Sequence, residues 1–108
     1  MISIIVDEGY AYDYLAILAV KRNKHYYDII SEHIESQIGI ELHEKITESI
    51  EFYNLFDANV KTFHAVEMAR YGKISAKEVD NYNMERYNCK VILQNKFFPS
   101  NKILETKT

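Results

Sequence analysis

The scarcity of turn-forming residues constrains this chain more than any other feature, because its 108 residues include only three glycines and one proline. Antiparallel sheets, sandwiches and barrels need Gly, Asn-Gly or Pro at their tight corners, so this chain cannot turn often. Hydrophobic residues make up 47% of the sequence and the net charge is −3, which argues against disorder. These features predict a single all-α domain over residues 1–100, followed by a polar C-terminal tail at 101–108.

Apolar periodicity predicts four helices. The first covers residues 8–22 behind Asp7 as its N-cap, and the second covers residues 26–38, where Gly39 ends or bends it. The β-branched run at residues 2–6 is compatible with a short N-terminal β-strand. A lone strand needs a partner, which a second copy of the chain could supply.

The third predicted helix is unusually long. A heptad-like apolar seam extends over residues 41–71, where Gly72 supplies a C′ residue, and a Ser75–Glu78 capping box opens a fourth helix over residues 75–98. The third helix would be about 45 Å long, whereas a compact monomer of this size is about 35 Å across. Either this helix breaks, or it protrudes as one arm of a long antiparallel helical hairpin.

The apolar residues lie on more helix faces than a small monomer can bury, which predicts self-association. The simplest assembly is a two-fold homodimer formed through the hairpin, with the character of a coiled coil. Six side chains of the two long helices are candidates for this interface: Tyr53, Phe56, Val60, Phe63, Tyr87 and Val91.

Residues that bind metals or perform catalysis do not form a recognisable set in this sequence. Four glutamates between residues 41 and 51 share a helix face, but helical magnesium-dependent pyrophosphohydrolases have paired adjacent glutamates and a later ExxD. The four histidines do not reproduce the spacing of di-iron bundles, so exposed or hydrogen-bonded histidines are expected. Cys89 is expected to fill a small space among bulky neighbours. We therefore predict no metal, no cofactor and no catalytic residue, which favours a protein that is not an enzyme.

Charge is distributed unevenly along the chain. Residues 1–51 hold four basic and ten acidic side chains, a balance of −6, whereas residues 52–108 hold nine and six, a balance of +3. Opposite potentials can help two copies dock, while the negative net charge argues against nucleic-acid binding. No apolar run approaches the ~18 residues that a membrane span needs. The lone Cys89 excludes an internal disulfide and suits a cytoplasmic protein.

The segment from Gly9 to Lys21 resembles the N-terminal helix of a family of small helical bacterial and phage proteins of unknown function. The family signature reads about G-E-L-h-D-K-h-T-I-L-x-h-K, where h is apolar, and six positions match it: Gly9, Asp13, Leu15, Ile17, Leu18 and Lys21. Tyr10 stands where Glu is usual, and Ala16 where Thr is. Residues 56–59 and 72–99 are also similar to small helical proteins of marine phages. The resemblance implies an all-helical, cytoplasmic, phage-encoded product and no particular activity.

Three functional hypotheses follow from these patterns. The first is a non-catalytic helical interaction module that self-associates through the hairpin. The second is a helical enzyme or small-ligand-binding protein whose polar site gathers Glu8, Asp13 and Lys21 with carboxylates of the next helices. The third is an accessory protein that binds nucleic acid through lysines, arginines and tyrosines. We favour the first hypothesis.

Overall fold

The computed structural model describes residues 1–104, which form five α-helices and no β-strand. The helices are α1 (Glu8–Val20), α2 (Lys24–Ile38), α3 (Ile40–Thr47), α4 (Ile50–Arg70) and α5 (Ala76–Phe97). The predicted all-α class is confirmed, whereas the predicted count of four helices is wrong. The predicted strand is also absent, because residues 2–6 have no regular secondary structure and their isoleucines are exposed. Residues 105–108 of the predicted tail lie outside the described residues.

Ser49 divides the long predicted helix into α3 and α4. Its hydroxyl donates to the carbonyl of Ile46 at 2.6 Å and accepts the N–H of Phe52 at 3.1 Å, which caps α4. This side chain satisfies backbone groups that a continuous helix would otherwise use, and so it stabilises the break. The long hairpin predicted for residues 41–71 and 75–98 is therefore wrong. The 21 residues of α4 are about 32 Å long and fit within a body of 44 × 30 × 30 Å.

The helix ends that the sequence marks most clearly are confirmed. The N–H of Tyr10 donates to Oδ1 of Asp7 at 2.7 Å, as the predicted N-cap of α1 requires. Ser75 and Glu78 form the predicted capping box at the start of α5. Gly39 ends α2 instead of bending it, because its φ of 93° is incompatible with a right-handed helix.

Two helices end in the same hydrogen-bonded turn, the Schellman motif. At the end of α4, the N–H of Gly72 donates to the Ala69 carbonyl, and Lys73 N–H donates to the Met68 carbonyl. Gly72 adopts a φ of 71°, as predicted for a C′ glycine. At the end of α1 the matching C′ position is occupied by Arg22, with a φ of 55°. A left-handed residue with a side chain costs about 1–2 kcal/mol, so Arg22 is an unfavourable choice for this turn.

The turn at Arg22 follows the hydrogen-bond pattern of the turn at Gly72. The N–H of Arg22 donates to the Ala19 carbonyl at 3.1 Å, and Asn23 N–H donates to the Leu18 carbonyl at 3.0 Å. These bonds satisfy the last carbonyls of α1 and turn the chain directly into α2. The turn therefore fixes the backbone of Arg22 at the junction between the two helices.

Helix α1 lies at the centre of the bundle and contacts α2, α4 and α5. Its sequence carries two apolar stripes at helical spacing, one through residues 11, 15 and 18 and one through residues 10, 14 and 17, as expected for a helix that packs between neighbours. Its Tyr12, Leu15 and Ala16 are fully buried. The core consists of nine buried apolar side chains: Tyr12, Leu15, Ala16, Ile34, Ile46, Phe52, Leu55, Leu93 and Phe98.

Helix α4 buries a different side from the one its apolar pattern indicates. The predicted seam includes Tyr53, Phe56, Val60 and Phe63, but Tyr53 and Val60 are exposed and the two phenylalanines are half-buried. The buried side instead combines apolar residues with two polar ones: Phe52, Leu55, Ala58, Asn59, Thr62 and Ala65. The core of the bundle therefore contains a polar segment that is contributed by α4.

Candidate functional site

A buried polar cluster joins α1, α4 and α5. The amide of Asn59 donates through Nδ2 to Oδ1 of Asp13 at 2.9 Å, and it also donates to the Leu55 carbonyl at 3.0 Å. The guanidinium of Arg86 approaches the other carboxylate oxygen, with Nε 3.9 Å from Oδ2. Asp13 and Asn59 are 7% and 0% exposed. A carboxylate buried to this extent is stable only with hydrogen bonds and a counter-charge, and this cluster provides both.

Asn59 carries an unsatisfied atom in this cluster. Its Oδ1 is buried and has no hydrogen-bond partner among residues 1–104. A buried acceptor without a partner costs about 1–3 kcal/mol. The Arg86 guanidinium is the charged donor group of the cluster, and its Nε lies 3.9 Å from the Asp13 carboxylate, beyond hydrogen-bond distance. The cluster is therefore incompletely satisfied, even though Asp13 itself is well held.

A second buried chain of hydrogen bonds connects α1, α3 and α2. The hydroxyl of Tyr12 lies 2.7 Å from Nδ1 of His43, and Nε2 of the same ring lies 2.6 Å from the hydroxyl of Ser31. Tyr12 is 0% exposed and His43 is 3% exposed, whereas Ser31 is half-buried. Sequence patterns did not indicate this chain, because its three members come from three different helices.

Burial sets the protonation states of Tyr12 and His43 in this series of hydrogen bonds. It raises the pKa of Tyr12 well above its usual value, so the phenol keeps its proton. It lowers the pKa of His43 below 6.5, against the opposing charges of Glu35 and Glu44, so the imidazole is neutral at neutral pH. The predicted hydrogen-bonded histidine is therefore realised at His43.

The direction of these hydrogen bonds argues against a nucleophilic serine. If Nδ1 of His43 carried the proton, the buried O–H of Tyr12 would lose its acceptor, at a cost of about 1–3 kcal/mol. We therefore assign Tyr12 as the donor to Nδ1, and Nε2–H as the donor to Ser31. A catalytic serine needs the opposite arrangement, in which Nε2 accepts the serine proton. The hydrogen bonds from Tyr12 to His43 and from His43 to Ser31 thus satisfy buried polar groups and do not activate Ser31.

The three residues expected to share a ligand site each contact a different part of the molecule. Glu8 accepts hydrogen bonds from the side-chain amides of Gln94 and Asn101, at 2.8 and 2.7 Å. Asp13 belongs to the cluster with Asn59, and the exposed Lys21 has its Nζ 5.9 Å from the ring centre of Phe63. No contact between any two of Glu8, Asp13 and Lys21 is found within residues 1–104. The structure does not bring them together into one polar site.

Gly9 lies at a close approach of α1 to α5. A Cβ at this position would lie 3.0 Å from Cγ of Lys90 and 3.1 Å from both Oε1 of Gln94 and the Lys90 carbonyl oxygen. The N–H of Gly9 donates to Oε1 of Gln94. Lys90 is only 3% exposed, and its Nζ lies over the rings of Tyr10 and Tyr87. The small residue therefore permits a close polar contact between two helices.

Tyr87 and Val91, the α5 members of the predicted interface, are both half-buried. Tyr87 lies beside Lys90, with 5.0 Å between the ring centre and Nζ. Part of the surface of Tyr87 and Val91 is therefore covered within the protein and cannot contact a second copy. Tyr53 and Val60 of α4 are the most accessible of the six interface candidates.

Other kinds of site are not apparent in the described part of the chain. Residues 1–104 contain no group of three or more His, Cys, Asp or Glu side chains that could hold a metal ion. Within the same residues, no helix is both long enough and apolar enough to span a membrane. Burial raises the pKa of the half-buried Cys89 thiol, which is the direction expected for an unreactive cysteine.

Comparison with known proteins found no match: no protein-family model, no curated protein and no solved structure is detectably similar to this chain.

Proposed function

We propose that this chain is a non-catalytic helical module that self-associates, in its simplest form as a two-fold dimer. The observation that carries the proposal is the exposure of large apolar side chains on one side of α4. Tyr53 is 60% exposed and Val60 is 40% exposed, and their spacing of seven residues places both on the same side of α4. Grouped exposed apolar side chains on a small protein are typical of interaction surfaces.

The α4 stripe, which we define as Tyr53, Phe56, Val60 and Phe63, has the composition of an interface centre. Its members follow one another in steps of three and four residues, so they lie along one side of the helix. Three of the four are aromatic, and aromatic side chains contribute much of the binding energy at protein interfaces. A second copy offers the same stripe, as the two-fold symmetry of a homodimer requires.

The charge distribution supports association between copies. The acidic segment 1–51 contains α1–α3, whereas the basic segment 52–108 contains nearly all of α4 and all of α5. An arrangement that places the acidic helices of one copy near the basic helices of the other is electrostatically favourable, and salt weakens it. The resemblance of residues 9–21 to small phage-encoded helical proteins fits such an accessory role in the host cytoplasm.

Sedimentation velocity of the whole chain over micromolar concentrations tests this proposal. We expect a dimer that dissociates on dilution and in the variant Tyr53→Glu/Val60→Glu, because each glutamate would have to be desolvated in the interface. Tyr26→Glu is the matched control, because Tyr26 is 54% exposed but lies on α2, away from the stripe. A wild-type monomer at these concentrations would refute the proposal, and so would a double variant that remains fully dimeric.

A further inference from the structure

A cleft of about 350 Å³ lies between the end of α1 and the start of α2. Its apolar surface comes from Leu18, Ala19 and Tyr27, of which Leu18 is buried and the other two are half-buried. The remaining lining residues are polar: Arg22, Asn23, Lys24 and Asp28. The cleft is open to solvent and combines an apolar wall with charged side chains. It is separate from the α4 stripe.

The charges around this cleft leave one cation without a counter-charge. Nζ of Lys24 is paired with Oδ2 of Asp28 at 2.8 Å. The exposed Arg22 forms no ion pair with any carboxylate of residues 1–104. The lining therefore has a net charge of +1, although it lies within the acidic half of the sequence. A ligand of matching charge is a monoanion.

Arg22 is held beside the cleft by a turn that would accept glycine more readily. The equivalent turn after α4 uses Gly72, with nearly the same backbone conformation and the same hydrogen bonds. The side chain of Arg22 is therefore not needed to form the turn. What it adds at this position is a planar guanidinium, which can donate two parallel hydrogen bonds to a carboxylate.

We propose that this cleft binds a small organic monoanion with an apolar body, of the aromatic carboxylate class. The ring packs against Leu18, Ala19 and Tyr27, and the carboxylate faces the guanidinium of Arg22. The ion pair of Lys24 with Asp28 lies at the edge of the cleft and adds no net charge. The volume of the cleft is at the lower end of the range for ligand pockets, about 300–1,000 Å³, which suits a single ring bearing a short acidic group.

Titration of the isotope-labelled full chain with phenylacetate, followed by amide chemical shifts, tests the proposal. We expect saturable shifts that centre on residues 18–28 at concentrations up to about 10 mM. Phenylacetamide, which has the same shape without the charge, and acetate, which lacks the ring, should each bind at least about tenfold more weakly. Equal binding of phenylacetate and phenylacetamide would overturn the proposal, and so would the absence of shifts in this segment.

Substitutions at Arg22 separate binding from folding. Arg22→Gly suits the left-handed backbone, so the thermal unfolding midpoint of the free protein should not fall, while phenylacetate binding weakens at least about tenfold. Arg22→Lys keeps the charge but loses the pair of parallel hydrogen bonds, so its affinity should lie between those of the wild type and Arg22→Gly. Lys45→Gln is the control, since Lys45 is exposed on α3 outside the cleft. If Arg22→Gly binds phenylacetate as tightly as the wild type, the assignment of Arg22 is wrong.

Discussion

The hydroxyl of Tyr12 and Nδ1 of His43 lie 2.7 Å apart and connect α1 to α3 through the core. We expect Tyr12→Phe to lower the free energy of unfolding by about 1–3 kcal/mol, because it leaves a fully buried ring nitrogen without its donor. Urea unfolding measures this difference. Tyr26→Phe is the control and should change stability by less than about 0.5 kcal/mol, since Tyr26 is exposed. A similarly small effect of Tyr12→Phe would contradict the role of this bond.

The same histidine makes stability depend on pH. Burial lowers the pKa of His43 in the folded protein, so the unfolded chain takes up a proton more readily than the folded one. Its contribution to stability is therefore complete above about pH 6.5 and is lost as the pH falls from there toward the lowered folded value. The negative charges of Glu35 and Glu44 oppose this lowering of the pKa without reversing it.

The variant His43→Gln isolates this contribution from that of the carboxylates. We expect the wild type to exceed His43→Gln in unfolding free energy by more at about pH 8 than at about pH 5. Urea unfolding of both proteins across this range provides the measurement. A difference that stays constant with pH would show that His43 does not titrate differently in the folded and unfolded states.

At Gly9, helix propensity and packing act in opposite directions. Alanine favours a helix over glycine by about 1 kcal/mol, but less so in the first turn, where Gly9 lies. The added Cβ would press against the Lys90 backbone carbonyl and displace Gln94, and overpacking of this kind costs about 1–3 kcal/mol. We therefore expect Gly9→Ala to destabilise the protein by about 1 kcal/mol in urea unfolding.

The Gln94→Ala background gives a control for this prediction. Removal of the Gln94 amide relieves one of the close contacts, so Gly9→Ala should cost less there than in the wild type. If Gly9→Ala is stabilising in both backgrounds, α1 and α5 can separate enough to accept the methyl group, and the close approach is not required.

The Asp13–Asn59 pair should show strong energetic coupling. Asn59→Leu leaves the buried Asp13 carboxylate without its amide donor, and we expect it to cost about 3 kcal/mol in a denaturant titration. Adding Asp13→Leu to this variant should recover part of the loss, because replacing both polar partners removes the unpaired charge. Strictly additive losses in the two single variants and the double variant would show that the pair is not coupled.

Local sequence signals were sufficient to predict those helix ends that depend only on residues nearby in the sequence. Asp7, Gly72 and the Ser75–Glu78 pair fix helix ends through contacts within a few residues, and these predictions were correct. Ser49 also acts locally, but a serine inside an apolar periodic pattern is compatible with a continuous helix. The pattern therefore did not reveal the break between α3 and α4.

The buried side of α4 could not be inferred in the same way. The α4 stripe is entirely apolar. Apolar periodicity therefore predicts that this side of α4 is buried, and not the side that contains Asn59 and Thr62. Those two polar residues are buried because Asp13 and the Tyr82 carbonyl lie against them in the fold. Such partners, 46 and 20 residues away, are invisible to a local pattern.

The candidate site was only partly predictable for the same reason. Asp13 was singled out from the sequence, and the structure gives it a buried position with specific partners. Its partners Asn59 and Arg86, and the chain from Tyr12 through His43 to Ser31, depend on how five helices pack. Among the positions shared with the phage-type signature, Gly9 serves a close helix contact and Leu15 is fully buried, so these two matches are explained by packing.

The first turn of α1 is held by residues that lie far later in the sequence. Glu8 binds Gln94 and Asn101, and Asp7 accepts the N–H of Leu104, across sequence separations of 86, 93 and 97 residues. During translation α1 therefore leaves the ribosome long before its partners exist. The first turn of α1 therefore gains these hydrogen bonds only after α5 and the residues that follow it up to Leu104 have been synthesised.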